Sequence, residues 1–461
     1  MQKGNVDFVE EVRTKPGERS RKIKLLLKGM LTNTTVINIL LVSGVNIFVK
    51  GSGFLKESLV AHTFGLSALL DTFYIAVLIP SFINNVFVDS LSNIFIPNYI
   101  AELASSKQKG IFQSVSFIIV TCIAIVFCII CILSTDTFLP YLYPGHAASY
   151  YNLILVQFYW ILPALFFWGY SSLLSSLLIV GGKFLYTTIY PILTTFSVVA
   201  CIIFFNDQLG VSVLAIGMLM GSFLEFLFLL LSAIYFKEIQ FKYPRLNSNL
   251  RLMIRQLPAK ASSGFLIGMN SFVDQFFAAQ LLVGSITAIN YGVKIPSFVA
   301  GVLVMALGNV LLPRFAKEVN NNLLKAYDDL FKILKITFFA TVLLSAVVFL
   351  FSDQIIFYCF QRGKFLHSDT MIVSNVQKIF LLYVPFYICS IVLVKFLTSI
   401  NKNHLMAWVS LLSLLLNFGL DFLLIKPFNL YGLAISTSAV YFVNCLILFC
   451  CVVYQRKKCS I

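Results

Sequence analysis

Twelve times along this chain an apolar stretch runs for about 20 residues or more, the length an α-helix needs to cross ~30 Å of hydrocarbon. No other feature narrows the fold so far. Inside a bilayer every backbone N–H and C=O must be satisfied within the chain, which only helices and closed barrels achieve. The stretches lie near 33–63, 68–99, 111–134, 150–180, 185–206, 210–236, 258–283, 286–313, 327–352, 371–400, 404–425 and 430–454. With 59% hydrophobic and 11% charged residues and a mean hydropathy of +0.90, the chain has too little polar surface for a water-soluble globule. The sequence predicts an all-α polytopic membrane protein.

The net charge of +15 would suit a nucleic-acid binder, but its distribution follows topology. Lysines and arginines crowd the N-terminal arm at 1–32 and then every second loop: Lys107 and Lys109, Lys183, Lys237 to Arg255, Arg314 to Lys325, Lys402, and Arg456 to Lys458. The intervening loops are poor in them, with Arg362, Lys364 and Lys426 as exceptions. This positive-inside pattern sets both termini in the cytoplasm and makes the number of spans even, and it leaves no call for nucleic acid. The charged arm and the long first apolar run after it do not read as a cleavable signal peptide. Eight of the ten cysteines fall inside apolar spans, where cysteine behaves as a small hydrophobe and implies neither disulfides nor zinc. There is no phosphate-binding GxxxxGK[ST] loop and no HExxH, and the four histidines are scattered singly, so an enzyme is not expected.

One segment is written twice. "IPSFINNVFVDSLSNIFIP" (79–97) and "IPSFVAGVLVMALGNVLLP" (295–313) agree at nine of nineteen positions. Where the first copy has Asn84, Asn85, Asp89, Ser90 and Ser92, the second has Ala300, Gly301, Met305, Ala306 and Gly308. The copies open at Ile79 and Ile295 and lie six spans apart, so both cross in the same direction. That predicts two six-helix lobes related by a pseudo-twofold axis along the membrane normal, with a substrate path between them. The lobes would cover 33–236 and 258–455, joined by a basic loop at 237–257, with a basic arm at 1–32 and a basic tail at 456–461.

The stretch "GFLKESLVAHTFGLSALLDTFYIAVLIPSF" followed by "FIPNYIAE" resembles the opening helices of the MurJ (MviN) family of lipid II flippases, within the multidrug, oligosaccharidyl-lipid and polysaccharide exporter superfamily. The block from Asn270 to Glu318 is similar to that family's seventh and eighth helices, and "YCFQRGKFLHSDT" to its loop before helix ten. The resemblance implies a bacterial inner-membrane flippase, acting as a monomer, that carries a polyprenyl-pyrophosphate-linked glycan across the bilayer by alternating access. Lipid II is the foremost cargo; O-antigen or capsule repeat units, or a drug exported against a cation gradient, are the alternatives. The family also carries two further C-terminal helices, whereas this sequence ends after its twelfth span.

Arginines on the family's helices one, two and eight line its cavity, and by motif position they fall here on Lys50 and Lys56, Asn84, and Lys294. Lysine attracts phosphate as a point charge but lacks the bidentate fork of arginine. Lys50 and Lys56 could instead snorkel to an interface, although Gly51, Ser52 and Gly53 interrupt an overlong first span in a way that suits a cavity wall. Asp71 either balances these lysines or serves a helix start near Ser67.

A second constellation lies in the last spans. Asn417 and Asp421, four residues apart, share one helix face, and Asp274 and Thr437 would add oxygens from two other helices. Such a set suits a hard cation. A hydrogen-bond network with one acid protonated is the structural alternative. The resemblance implies a sodium site of these residue types, completed by the Leu433 carbonyl, and a proton could take the coupling role in place of sodium. No other cofactor is expected.

Overall fold

The computed structural model describes residues 34–105 and 109–459; the basic arm at 1–32 lies outside the described residues. All of the longer segments are helical. We number them α1 (Thr34–Phe64), α2 (Ala68–Ser105), α3 (Lys109–Leu142), α4 (Ala148–Val180), α5 (Ile192–Leu209) and α6 (Val213–Tyr235). The second half comprises α7 (Ser248–Ala278), α8 (Ser285–Asn321), α9 (Leu323–Leu350), α10 (His367–Ser399), α11 (403–428) and α12 (430–459). Each of the twelve apolar stretches corresponds to one of these helices. Helices α1 and α7, the first of each half, carry polar groups that face the space between the halves.

The halves repeat one plan. Within the first, α5 packs on α1 and α6, and α4 on α2 and α3; within the second, α7 packs on the 403–459 helix, and α10 on α8 and α9. The break between α5 and α6 falls at Gly210 (φ 49°), and the corresponding break between α11 and α12 at Asn429 (φ 48°), both left-handed. Glycine adopts this conformation freely and asparagine tolerates it, so each marks a sharp reversal. At the start of α2 and α8, Asp71 contacts Thr287, 216 residues away. That separation equals the offset of the sequence repeat, from Ile79 to Ile295. The two equivalent positions therefore meet each other, as residues on a twofold axis must.

Two boundaries differ from the sequence reading. The stretch taken as the inter-lobe loop is helical from Ser248, where the Asn247 side chain accepts the Leu250 N–H at 2.9 Å and caps α7. This extension is amphipathic rather than apolar, with Leu250 and Met253 buried against Phe95, Tyr99 and Phe112 of the first lobe and Arg251 and Arg255 exposed, so hydropathy alone passes over it. The fifth apolar stretch is broken: a single turn, Tyr186–Ile189, precedes α5. Pro191, which has no N–H to give, stands at that break.

The two seams between the lobes differ. Along one, α2 and α7 press together: a Cβ on Gly264 would lie 3.1 Å from the Asn85 carbonyl oxygen, and one on Gly268 3.0 Å from the Phe82 ring. Ser90 Oγ donates to the Lys260 carbonyl at 3.2 Å, Asn98 to Gln256 at 2.9 Å and Asn249 to Glu102 at 2.7 Å, which ties the lobes on the side of the basic loops. On the opposite side the Lys364 N–H donates to the His62 carbonyl at 2.9 Å, and His146 Nε2 sits 2.7 Å from the Ala279 carbonyl. Along the other seam, α1 and α8 lack such backbone packing and are bridged by long side chains.

Candidate functional site

Lys56 and Lys294 reach each other's neighbourhood through one carboxylate, Glu57. Glu57 Oε1 lies 3.0 Å from Lys56 Nζ and 3.1 Å from Lys294 Nζ, and the Tyr74 hydroxyl donates to Oε2 at 3.5 Å. Lys50 stands six residues, roughly 9 Å of helix, below Lys56 on α1. It faces Gly301 of α8, where an added Cβ would come 3.3 Å from its Nζ. The bridged seam therefore holds three cations and one acid, a surplus of two positive charges. Cations inside apolar helices are costly unless paired, and an anion could balance the two that Glu57 leaves unpaired. The Glu57 counter-ion escaped the sequence reading because a Lys-Glu dipeptide looks interfacial; its signal was that both residues sit inside a span.

Asp71 does not balance the lysines. It lies 2% exposed at the start of α2, and its carboxylate accepts the Gly284 N–H at 2.6 Å, the Thr287 N–H at 2.8 Å and the Thr287 hydroxyl at 2.6 Å. Ser67 caps its own helix, while Asp71 caps the N-terminus of α8 in the other lobe. The helix start that Asp71 serves is that of α8, not the one near Ser67.

Asn84 also stands apart from the lysines. Behind Pro80 the α2 backbone widens into a π-turn at Asn84–Val88, a distortion that re-aims side chains. Asn84 turns into the first lobe, where it lines a cavity of about 190 Å³ with Ser81, Asp89, Ser171, Tyr190 and Glu225. Ser92 shares a short hydrogen bond with Ser172 of α4. The polar residues that distinguish the first copy of the repeat thus face polar space or bond across helices, and Asn85 lines the larger cavity between the lobes.

That larger cavity, about 590 Å³, is walled by α2 and α7 with Tyr74, Asn93, Lys260, Gln275 and Asn290 among its polar groups. Ser81, Asn85 and Asp89 also line the smaller chamber. Ser271, Gln275 and Asn290 also line a third cavity of about 410 Å³ inside the second lobe. A polar ribbon of three chambers thus crosses the middle of the protein, and Tyr74 joins it to the Glu57 cluster.

The third chamber holds the second constellation. The Asn417 amide donates to Asp274 Oδ1 at 2.7 Å and to Asp421 Oδ2 at 3.3 Å; Asp421 and Asn417 are 0% and 3% exposed. The Thr437 hydroxyl donates to the Leu433 carbonyl at 3.0 Å, so that carbonyl already has one partner. Asp274, Asn417 and Thr437 line the chamber, and Asp421 lies behind them. Asn444 Oδ1 is buried without a partner, and Ser436 and Asp274 stand within hydrogen-bond reach of the Asp421 carboxyl. An unpartnered oxygen beside two carboxyls fits a small hard cation. Among the described residues there is no cluster of three or more His, Cys, Asp or Glu, so the set relies on amide, hydroxyl and carbonyl oxygens.

Two lobes of six helices around a polar ribbon, with one seam packed and the other bridged by side chains, define a membrane transporter of the alternating-lobe type. The comparisons narrow this. The family profile described as lipid II flippase MurJ matches residues 60–460, and the chain belongs to that family. It is similar to the probable lipid II flippase MurJ of Buchnera aphidicola from Schizaphis graminum, 25% identical over 421 residues covering 86% of this chain and 79% of that one. The corresponding protein of Borreliella burgdorferi is 25% identical over 444 residues, 92% of this chain and 84% of that one. Among solved structures, a lipid II flippase MurJ in an inward closed conformation superposes with a TM-score of 0.79 at 22% identity, covering 90% and 87% of the two chains. An inward-facing multidrug transporter of the MATE family superposes at 0.70 and 12% identity, covering 91% and 98%. These likenesses establish the fold.

Proposed function

We propose that the protein flips lipid II, the polyprenyl-pyrophosphate-linked precursor of peptidoglycan, from the cytoplasmic to the outer leaflet of a bacterial inner membrane. The observation that carries this is the surplus positive charge of Lys50, Lys56 and Lys294 over Glu57 at the bridged α1–α8 seam. A pyrophosphate brings the missing negative charge, and lysine ammonium groups hold it as point charges. Glu57 keeps the empty site from being an unscreened cluster of cations. It also gives Lys56 and Lys294 a partner to return to once the anion leaves. Family membership supports the cargo. The basic loops then face the cytoplasm with both termini, and the bridged seam admits the headgroup sideways while the hydrocarbon tail stays among lipids.

The acids of the second lobe supply coupling in this reading. Asp274, Asn417, Asp421, Thr437 and the Leu433 carbonyl would hold sodium, which provides a gradient to drive the lobes through their cycle. The deciding experiment depletes the protein in its native host and identifies the lipid-linked intermediates that accumulate, by mass spectrometry. Accumulated lipid II supports the proposal; another lipid-linked glycan redirects the cargo, and no lipid-linked species overturns it.

A further inference from the structure

The chamber inside the first lobe has a composition of its own. Glu225 lies in the middle of the apolar helix α6, and its Oε1 accepts the Thr194 hydroxyl at 2.7 Å. Gly221 makes this contact possible, since a Cβ there would fall 2.5 Å from the Thr194 Cα. Asp89 stands at the mouth, lining both this chamber and the central cavity. Ser171 is 3% exposed, lines the chamber, and its hydroxyl has no partner; the Asn84 side-chain amide oxygen Oδ1 has none either. Among the described residues no lysine or arginine pairs with Glu225 or Asp89. Two carboxyls, an amide oxygen and a serine oxygen therefore converge on about 190 Å³ that neutral hydroxyls of Ser81, Ser172 and Tyr190 also line, with no cationic side chain among the lining residues.

Uncompensated acceptors among apolar helices are expensive, and the repeat shows that the fold does not require them: the equivalents of Asn84 and Asp89 in α8 are Ala300 and Met305. We propose that this side chamber is a binding site for a single monovalent cationic centre, distinct from the acid pair of the second lobe. Hard oxygen ligands favour a sodium-like ion. The same ligands accept a primary ammonium group presented from the central cavity, on to which the chamber opens through Asp89. The site exists only in the first lobe, so its occupancy would report on that lobe alone. The inference does not depend on what the lysine seam carries.

Trp168 lines the chamber, whereas Trp160 and Trp408 are 46% and 70% exposed. The test uses the full chain carrying Trp160→Phe and Trp408→Phe, so that Trp168 alone fluoresces. It is titrated with sodium chloride, and separately with methylammonium chloride, against choline chloride at constant ionic strength. Thermal unfolding midpoints are taken in the same salts, since a ligand of the native state raises them. The expected result is a saturable Trp168 change and a raised midpoint with at least one of the two cations. Glu225→Gln, which keeps the Thr194 contact, should raise the cation concentration at half-saturation at least tenfold, while Asp421→Asn leaves it in place. A response to sodium alone identifies an ion site, and one to methylammonium a recognition site for an amine. No Trp168 response to either cation, or a Trp168 response that survives Glu225→Gln or disappears with Asp421→Asn, overturns the assignment.

Discussion

Replacing Asp71 with asparagine should release the lobes from each other on the side remote from the basic loops. The carboxylate accepts three bonds there, at 2.6, 2.8 and 2.6 Å, from the first turn of α8 and the residue before it. Asparagine offers one oxygen instead of two and turns an N–H₂ toward an N–H donor, so at least one bond is lost and the rest are no longer charge-assisted. Each charge-assisted bond contributes about 1.5–3 kcal/mol, and the anion's interaction with the α8 dipole about 0.3–1 kcal/mol more. A loss of about 3 kcal/mol shifts the balance between closed and open arrangements roughly a hundredfold, at 1.4 kcal/mol per factor of ten. Spin labels at Tyr141 and Leu282, 80% and 86% exposed in different lobes, would report the separation by double electron–electron resonance in lipid nanodiscs. Asp71→Asn should move a large share of molecules to longer distances, while Thr287→Ser, which keeps its hydroxyl and N–H, should not. A wild-type distance distribution in folded Asp71→Asn protein would refute the reasoning, because the contact would then hold nothing shut.

The remaining predictions concern the two polar centres and the packed seam. Alanine at Lys50, Lys56 or Lys294 should abolish complementation of a depleted host at unchanged membrane abundance, while arginine at each is tolerated; normal growth of all three alanine variants would remove the anion site. Asp274→Asn and Asp421→Asn should each blunt the response of reconstituted transport to imposed sodium or proton gradients, measured in liposomes, and unchanged responses of both would discard the coupling role. Gly264→Val should force α2 from α7 against the 3.1 Å limit at Asn85 and Ser90, costing about 1–3 kcal/mol. Thermal unfolding in detergent should show the lowered midpoint, and an unchanged midpoint would mean that the seam yields without strain.

Hydropathy placed all twelve helices because burial in lipid leaves a mark on every residue of a span, wherever the span ends up in the bundle. It could not tell which side of a helix meets which neighbour. Asn84 shows this: it faces a chamber inside the first lobe and not the lysine seam, and nothing local in "FINNVFV" announces the π-turn that begins there. Asp71 shows the other limit, since its partners are 213 and 216 residues away in the chain. Asn417 and Asp421 were legible because helical spacing alone puts them on one face, and Asp274 because an acid inside an apolar span needs a partner, which the fold supplies in Asn417. The helical stretch from Ser248 to Leu257 was missed because it buries one face against protein, not all faces in lipid.

The meeting of Asp71 with Thr287 has a consequence for ancestry. In a homodimer, a residue on the symmetry axis faces its own twin: an aspartate would meet an aspartate and repel it, and a threonine would find only another hydroxyl. A chain that carries both halves can let the two positions drift apart and set an acceptor opposite a donor. This bond between the lobes is therefore one that two identical subunits could not have formed at that spot.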